Sequence, residues 1–267
     1  MNWWKSVVAQ ELRKILAYRS DFWVTFLGQT FIQLAIARAL WQAMFEAEGV
    51  TSMNGYTLPM MTLYYLIAPI GTRMLTGQNI GFIANEIYEG TFSRYLIYPL
   101  SAFQYKTLTY LTNSFFFGVQ LILLYSLYQL FFVEGSVGLL QISNLILGVG
   151  LFLFASFTYC MMVMCIELIA LWADNIWSLV VMLRFATSFL GGGLLPLTFF
   201  PEWALSTLTY TPFPYLVSLP IKTIMGSSST TDISFGLMML TIWGFIFLCL
   251  SQLIWKRGQK VYTGVGI

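Results

Sequence analysis

The sequence lacks histidine altogether, and only 9% of its 267 residues are charged. Histidine is the commonest general base and the commonest metal ligand, so its absence argues against an enzyme or a metal site. A water-soluble domain carries about 25% charged residues, and a chain with so few cannot cover its surface against water. The composition therefore indicates lipid as the surrounding solvent.

Cysteine is also rare, and its three residues all lie in apolar runs, at Cys160, Cys165 and Cys249. This placement favours small packing side chains over a disulfide or a metal site. The net charge of +2 is too small to indicate nucleic acid as a partner. The sequence also has no Gly-x-x-x-x-Gly-Lys-Ser/Thr motif, so we expect no ATP or Mg²⁺ site in the chain itself.

Hydrophobic residues make up 58% of the sequence, and many of them fall into runs of the length that a membrane requires. A helix needs about 20 apolar residues to cross ~30 Å of hydrocarbon. We therefore predict an all-α integral membrane protein, a single domain over residues 1–267. Its six transmembrane helices are expected at about residues 22–45, 56–75, 107–133, 142–172, 176–195 and 233–255.

Two further segments are apolar without being predicted spans. Residues 1–20 place Trp4, Leu12 and Leu16 on one helical face, which predicts an amphipathic elbow helix on the membrane surface. Residues 196–232 are broken by several prolines, so they cannot form one continuous helix. We expect short re-entrant or interfacial helices on the external side, because irregular backbone exposed to lipid would leave amides unpaired.

Basic residues are distributed unequally between the two sides of this layout. Arg38 and Arg184 fall inside spans, and Lys222 alone lies in the loops of one side. The other side holds the remaining ten of the 13, which are Lys5, Arg13, Lys14, Arg19, Arg73, Arg94, Lys106, Lys256, Arg257 and Lys260. Because basic loops stay in the cytoplasm, both termini are predicted to be cytoplasmic.

The long cytoplasmic loop at residues 76–106 is predicted to contain helices of its own. A helix from about residue 79 would end at Gly90, since glycine favours the left-handed conformation that follows many helices. A second short helix, from about residue 91, would end before Pro99. Amphipathic helices in such a loop can also simply lie on the bilayer, and the pattern alone leaves that alternative open.

Ionisable residues inside spans are functional candidates, because their burial in lipid is costly. Glu167 and Arg184 lie at similar depth on either side of a predicted tight turn. They could form a structural ion pair, or Arg184 could face the translocation pathway and contact an anionic substrate group. Arg38 shares a helix face with Gln42; it could contact substrate, snorkel to the membrane surface or pair with Glu46.

Two stretches of the sequence carry recognisable motifs. In the long loop, Glu89-Gly90-Thr91 is followed by Leu96-Ile97-Tyr98-Pro99-Leu100-Ser101. These residues resemble the Glu-x-Gly-Thr-like segment, with its Leu-x-x-Pro-Leu/Val-Ser-like ending, of the permease subunits of type-2 ABC exporters. The second stretch, residues 191–203, resembles the family's glycine-rich, proline-broken segment after span five, with Gly191, Gly192, Gly193, Pro196 and Pro201. The layout of the whole chain is similar to that family as well.

The resemblance implies that the long loop carries a coupling helix that docks onto a separate ATP-hydrolysing subunit. Charge-assisted contacts and an apolar anchor would come from Glu86, Glu89, Gly90, Thr91, Arg94, Tyr95 and Leu96. The resemblance further implies export by a complex of two permeases, identical or homologous, with two ATPase copies that bind ATP and Mg²⁺. We expect this complex in the inner (plasma) membrane of a bacterium.

A secondary transporter with two inverted three-helix repeats is the alternative hypothesis. Pro69 and Gly71 interrupt the second span, and Gly191 and Pro196 interrupt the end of the fifth, as inverted broken helices do. This hypothesis requires an ion-coupling carboxylate, for which Glu167 is the available intramembrane acid. A membrane enzyme is the third hypothesis, which the missing histidine disfavours.

Overall fold

The computed structural model consists mostly of helices and describes residues 3–77, 81, 83–97, 101–132 and 142–262. A single two-stranded hairpin is the only sheet among these described residues. Short 3₁₀ helices lie at Thr91–Ser93, Leu168–Leu171 and Leu197–Phe199. The other elements are α1 (Trp3–Ala17), α2 (Arg19–Glu48), β1 (Ser52–Met53), β2 (Tyr56–Thr57), α3 (Leu58–Thr76), α4 (Ala84–Tyr88), α5 (Arg94–Ile97), α6 (Ala102–Phe132), α7 (Ile142–Glu167), α8 (Trp177–Leu190), α9 (Glu202–Leu208), α10 (Phe213–Leu216), α11 (Ser218–Ile224) and α12 (Thr230–Gly258).

Three helical stretches of the described chain are long and apolar enough to cross a membrane. They are Ala102–Gln129 in α6, Ile142–Leu171 in α7 and the 3₁₀ helix that follows it, and Thr230–Gly258, which is α12. Helices α2 and α3 coincide with the first and second predicted spans, and α8 is a shorter apolar helix. The helical class and the membrane character predicted from composition are therefore confirmed.

The prediction of the fifth span is wrong at its second end. The sequence predicted a helix to residue 195, but α8 ends at Leu190 and covers 14 residues, or roughly 21 Å. Gly192 adopts a left-handed backbone with φ of 90°, which a helix cannot continue through. Tyr64 and Tyr65 of α3 donate hydrogen bonds to the carbonyls of Gly192 at 2.5 Å and Leu194 at 2.8 Å. These bonds fix the helix break in place.

A hairpin between α2 and α3 was not predicted. Strands β1 and β2 pair antiparallel around Asn54 and Gly55, whose φ angles are 48° and 83°. Asn-Gly is the preferred dipeptide where both central residues of a turn need positive φ. The signal was present in the sequence, but the short strands on either side carry no alternating pattern long enough to indicate a sheet.

Helix α3 lies at the centre of the bundle, in contact with α2, α6 and α7. Ile67 and Ile70 are fully buried. At its end, the carbonyl oxygen of Met74 accepts hydrogen bonds from the hydroxyls of Ser114 in α6, at 2.7 Å, and Ser156 in α7, at 3.0 Å. The last carbonyls of a helix have no partner within it. These two hydroxyls therefore join three helices at the point where the long loop begins.

The proline-broken stretch between α8 and α12 forms short helices, and the last of them is buried. Ile221 and Ile224 of α11 are fully buried against α7. Gly148 of α7 lies so close to α11 that a Cβ atom there would approach the Pro220 carbonyl oxygen to 3.0 Å. Helix α11 is thus part of the packed bundle, whereas most side chains of α9 are exposed. The placement of residues 196–232 on the external side stays a prediction.

Helix α1 packs along α6 by one face, and Trp4 and Leu16 of the face predicted for the membrane surface stay exposed. Val7 and Glu11 are each 5% exposed, and the Glu11 carboxylate accepts a hydrogen bond of 3.4 Å from the amide of Asn113 in α6. Trp4 and Leu16, on the predicted membrane face, are 49% and 61% exposed. Helix α1 therefore presents apolar side chains outward and a carboxylate inward.

Candidate functional site

The candidate site is built from α4, the 3₁₀ helix after it and α5, which we call the 84–97 segment. Helix α4 ends where the sequence predicted, because Gly90 adopts a left-handed backbone with φ of 70°. The Gly90 amide donates to the Ile87 carbonyl at 3.1 Å, and the Ser93 hydroxyl donates to the Gly90 carbonyl at 2.9 Å. The segment is therefore a tight helix–turn–helix. The predicted helix start near residue 79 and the predicted stop at Pro99 lie outside the described residues.

Glu86 is the centre of a charge cluster inside this segment. Its carboxylate pairs with Arg94 and, at 2.8 Å, with the ammonium of Lys106 in α6, which is 1% exposed. Both cations also lie over the ring of Tyr95, with Arg94 at 5.1 Å and Lys106 at 5.6 Å from the ring centroid. Burial raises the pKa of Tyr95 to about 12, so its hydroxyl stays neutral beside them. The cluster ties the segment to the start of α6.

Aromatic packing anchors the turn of the segment to the carboxyl end of the chain. Phe92 is 1% exposed, and its ring lies 5.3 Å from Trp255 in α12 and 5.9 Å from Tyr262, between ring centroids. The hydroxyl of Tyr262 also donates a hydrogen bond of 3.1 Å to the Gly90 carbonyl. Sequence analysis missed all three aromatic residues, because contacts between such distant positions leave no local signal.

Two more hydrogen bonds attach the segment to α7 and to the turn that follows it. The Glu167 carboxylate accepts a bond of 2.6 Å from the Ile83 amide, immediately before α4. The hydroxyl of Tyr88 donates to the carbonyl of Ala173 at 3.1 Å. The 84–97 segment is consequently held by α6, by α7 and its following turn, and by the end of α12.

The predicted contact residues of the segment divide into an exposed and a buried group. Glu89, Thr91 and Arg94 are exposed, whereas Glu86 is half-buried in the charge cluster. Tyr95, expected as an apolar anchor for a partner, is only 7% exposed and packs within this chain. The side chain of Leu96 is outside the described part of the structure. Partner contact by any of these residues stays a prediction.

Glu167 and Arg184 line one cavity of about 50 Å³. Glu167 is 2% exposed, and Arg184 donates a hydrogen bond of 3.1 Å to the carbonyl of Thr76 at the end of α3. The structure thus brings the two predicted residues together next to the 84–97 segment. Both the ion pair and the contact of Arg184 with substrate stay predictions.

The other predicted pathway residues lie in α2. Arg38 is exposed there, and Gln42 donates a hydrogen bond of 2.9 Å to the carboxylate of Glu46. Glu46, which was considered as one possible partner of Arg38, therefore accepts a hydrogen bond from Gln42.

The predicted re-entrant residues surround the break after α8. Gly191 approaches the next segment closely, because a Cβ atom there would lie 3.0 Å from the carbonyl oxygen of Phe213. Gly193 lies in the same break, and the two prolines bound its 3₁₀ helix, with Pro196 before it and Pro201 at the start of α9. Trp41 of α2 closes this region, with its ring centroid 5.2 Å from that of Phe199.

The long apolar helices, packed together and holding one short polar segment, define this chain as a helical integral membrane protein. The chain belongs to the ABC-2 family transporter proteins, whose family model matches residues 31–266. It is therefore an ABC transporter permease, as the resemblance indicated, and members of this family are generally paired with an ATPase subunit. The match does not support the secondary-transporter alternative. No curated protein and no solved structure shows a significant match.

Proposed function

We propose that this chain forms half of the translocation pathway of an ATP-driven exporter and is coupled to a separate ATPase subunit. In this proposal α2, α3, α6, α7, α8 and α12 are the six spans, and α1 is the elbow helix. Both termini face the cytoplasm, in keeping with the basic residues. A second permease, identical or homologous, completes the pathway, and two ATPase copies bind ATP and Mg²⁺ beneath it in the inner membrane.

The observation that carries this proposal is that the 84–97 segment is held by contacts with α6, with α7 and its following turn, and with the end of α12. An element that transmits a nucleotide-driven movement must be rigid, must expose a contact surface and must connect to the spans. The segment exposes Glu89, Thr91 and Arg94, while Phe92 and Tyr95 are buried beneath them. Contact by the exposed charges suits a partner with a complementary groove.

The pathway residues of this proposal are Arg184, Arg38 and Gln42. Arg184 is half-buried at the inner end of the bundle, whereas Arg38 and Gln42 lie on the exposed face of α2. An exposed polar face is costly in lipid, so it suits a surface that meets either water or the second permease.

Charge reversal of Glu89 tests the coupling. Because Glu89 is exposed and lies beside the turn, we expect Glu89→Lys to leave the chain folded but to reduce its association with the ATPase about tenfold. Gly90→Val should do the same by distorting the turn, since a β-branched residue is strained at φ of 70°. The measurement is the vanadate-sensitive ATP hydrolysis that co-purifies with the tagged chain from native membranes.

Glu48→Lys is the matched control, because Glu48 is also an exposed glutamate and lies at the opposite end of the bundle. It should retain wild-type ATP hydrolysis. Coupling through this segment would be ruled out if Glu89→Lys and Gly90→Val retained it as well, or if transport ran on an ion gradient without any ATPase.

A further inference from the structure

The cavity beside the 84–97 segment has the size and the lining of a small anion site. It lies where α1, α3, α6, α7 and α8 meet, and its volume is about 50 Å³. A buried water needs about 10–15 Å³ by this measure, so the cavity has room for a few waters or for one phosphate-sized group.

Cations outnumber acids in the wall of this cavity. Lys14 of α1, Lys106 of α6 and Arg184 of α8 line it, against one carboxylate, that of Glu167. The charge of Lys106 is balanced by Glu86, and the Glu167 carboxylate accepts a hydrogen bond from the neutral Ile83 amide. Counted against Glu167, Lys14 and Arg184 therefore leave one positive charge in excess in the wall.

Donors for an incoming oxygen are also present. One nitrogen of the Arg184 guanidinium donates a hydrogen bond to the Thr76 carbonyl, and a guanidinium has five N–H groups in all. The hydroxyl of Tyr110, in the same wall, is buried and has no hydrogen-bond partner within the described residues. Buried hydroxyls nearly always have a partner in native proteins. An oxygen-rich anion in the cavity would accept from both groups.

The position of Lys14 connects the cavity to the membrane surface. Lys14 is exposed, and it lies on α1, whose Trp4 and Leu16 point outward as an apolar face. A helix of this kind lies at the boundary between headgroups and acyl chains. An anion that reaches the cavity past Lys14 therefore comes from the headgroup layer or from the adjoining solution.

We propose that this cavity binds a phosphate group, carried by the headgroup of an anionic phospholipid or as free phosphate. The proposal rests on the cytoplasmic placement of α1 given under Proposed function, and not on the ATPase. Lys14 and Arg184 hold the charge, and Tyr110 donates a hydrogen bond. The bound group would join α1 to α8, two helices that share this cavity.

The test uses the full chain purified in detergent and follows its thermal unfolding during titration with phosphatidylglycerol. Diacylglycerol with the same acyl chains lacks the phosphate, and inorganic phosphate lacks the chains. We expect phosphatidylglycerol to stabilise the wild type and diacylglycerol to do nothing. If inorganic phosphate stabilises the protein and phosphatidylglycerol does not, the free anion is the source of the phosphate group. If phosphatidylglycerol stabilises the protein and inorganic phosphate does not, the source is the lipid headgroup.

Two variants and one control locate the site. Lys14→Gln and Arg184→Gln should each weaken the apparent affinity about tenfold, the effect of losing one charge-assisted hydrogen bond. Lys5→Gln should leave it unchanged, because Lys5 is exposed on the opposite face of α1, nine residues away. If Arg184→Gln does not fold, Lys14→Gln still tests the site, because Lys14 is exposed and its replacement leaves the core unchanged. Equal affinity of Lys14→Gln and wild type, or equal stabilisation by diacylglycerol, would overturn the proposal.

Discussion

Glu86 joins two cations that lie in different parts of the chain. Arg94 belongs to the same segment, whereas Lys106 belongs to α6 and is almost completely buried. A buried ammonium without its counter-charge is far less stable than one that is paired. The stability of the segment on α6 therefore depends on this carboxylate more than on any exposed charge.

Neutralising Glu86 tests that dependence. We expect Glu86→Gln to lower the free energy of unfolding by about 3 kcal/mol, because it leaves Lys106 buried beside a neutral amide. Unfolding in mixed micelles by a denaturing detergent measures the change. Glu202→Gln is the control, since Glu202 is exposed at the start of α9 and should change stability very little. Equal stability of the two variants would disprove the role of Glu86.

Single residues were predictable from the sequence where a local rule determines them. Gly90 ends α4 because only a residue without a Cβ atom adopts its conformation easily. The burial of Tyr95 was not predictable, and neither was the contact of Phe92 with Trp255. Those depend on which distant helices meet, and one sequence carries no record of that.

Helices α7 and α11 approach each other so closely at Gly148 that a larger residue would not fit there. Because a methyl group at Gly148 would collide with the Ile224 side chain and would lie 3.0 Å from the Pro220 carbonyl oxygen, the two backbones leave no room for it. Close approach of this kind is the usual way for helices to associate in membranes, where water does not drive apolar surfaces together.

Alanine at Gly148 should therefore destabilise the protein by about 1–3 kcal/mol, since overpacking forces the two helices apart. Gly150, two residues further along α7, has open space on its outer side, because a methyl group there would meet no atom within 4 Å. Gly150→Ala should be neutral or stabilise by about 0.5–1 kcal/mol through helix propensity. The same denaturing-detergent titration compares the two variants. A smaller loss for Gly148→Ala than for Gly150→Ala would contradict the proposed packing.

The elements themselves were largely predictable, because lipid forces apolar runs to be helices. Helix α12 begins at a capping box of Ser229 and Asp232, close to the predicted start of the sixth span at about residue 233. The end of α8 was missed, since it depends on hydrogen bonds from Tyr64 and Tyr65 and not on its own composition. The burial of α11 against α7 was missed because it depends on contact with a helix that is distant in the sequence.

At the scale of the whole molecule, the hydropathy and the basic residues together predict an orientation. The two ends of the bundle differ in charge, and the proposed six spans place Glu48 and Lys260 on opposite sides of the membrane. Both residues are exposed, so each is accessible to a reagent in its own compartment.

Labelling of single cysteines tests that orientation. In a background without Cys160, Cys165 and Cys249, we expect Glu48→Cys to react with an impermeant maleimide in intact cells. Lys260→Cys should react only after the cells are opened. Reaction of both from the outside, or of neither, would mean that the number of spans is odd, whereas reaction of Lys260→Cys alone would mean that the orientation is reversed.

The hydrogen bonds of α3 constrain how movement can pass between the long loop and the break after α8. Tyr64 and Tyr65 hold the break after α8, while Met74, near the other end of the same helix, is bonded to Ser114 and Ser156 just before the long loop. A helix held at two points along its length cannot slide without displacing the groups that hold it. Any axial shift of α3 that begins at Met74 must therefore also displace the glycine-rich break, which is bonded to the same helix ten residues earlier, or roughly 15 Å away.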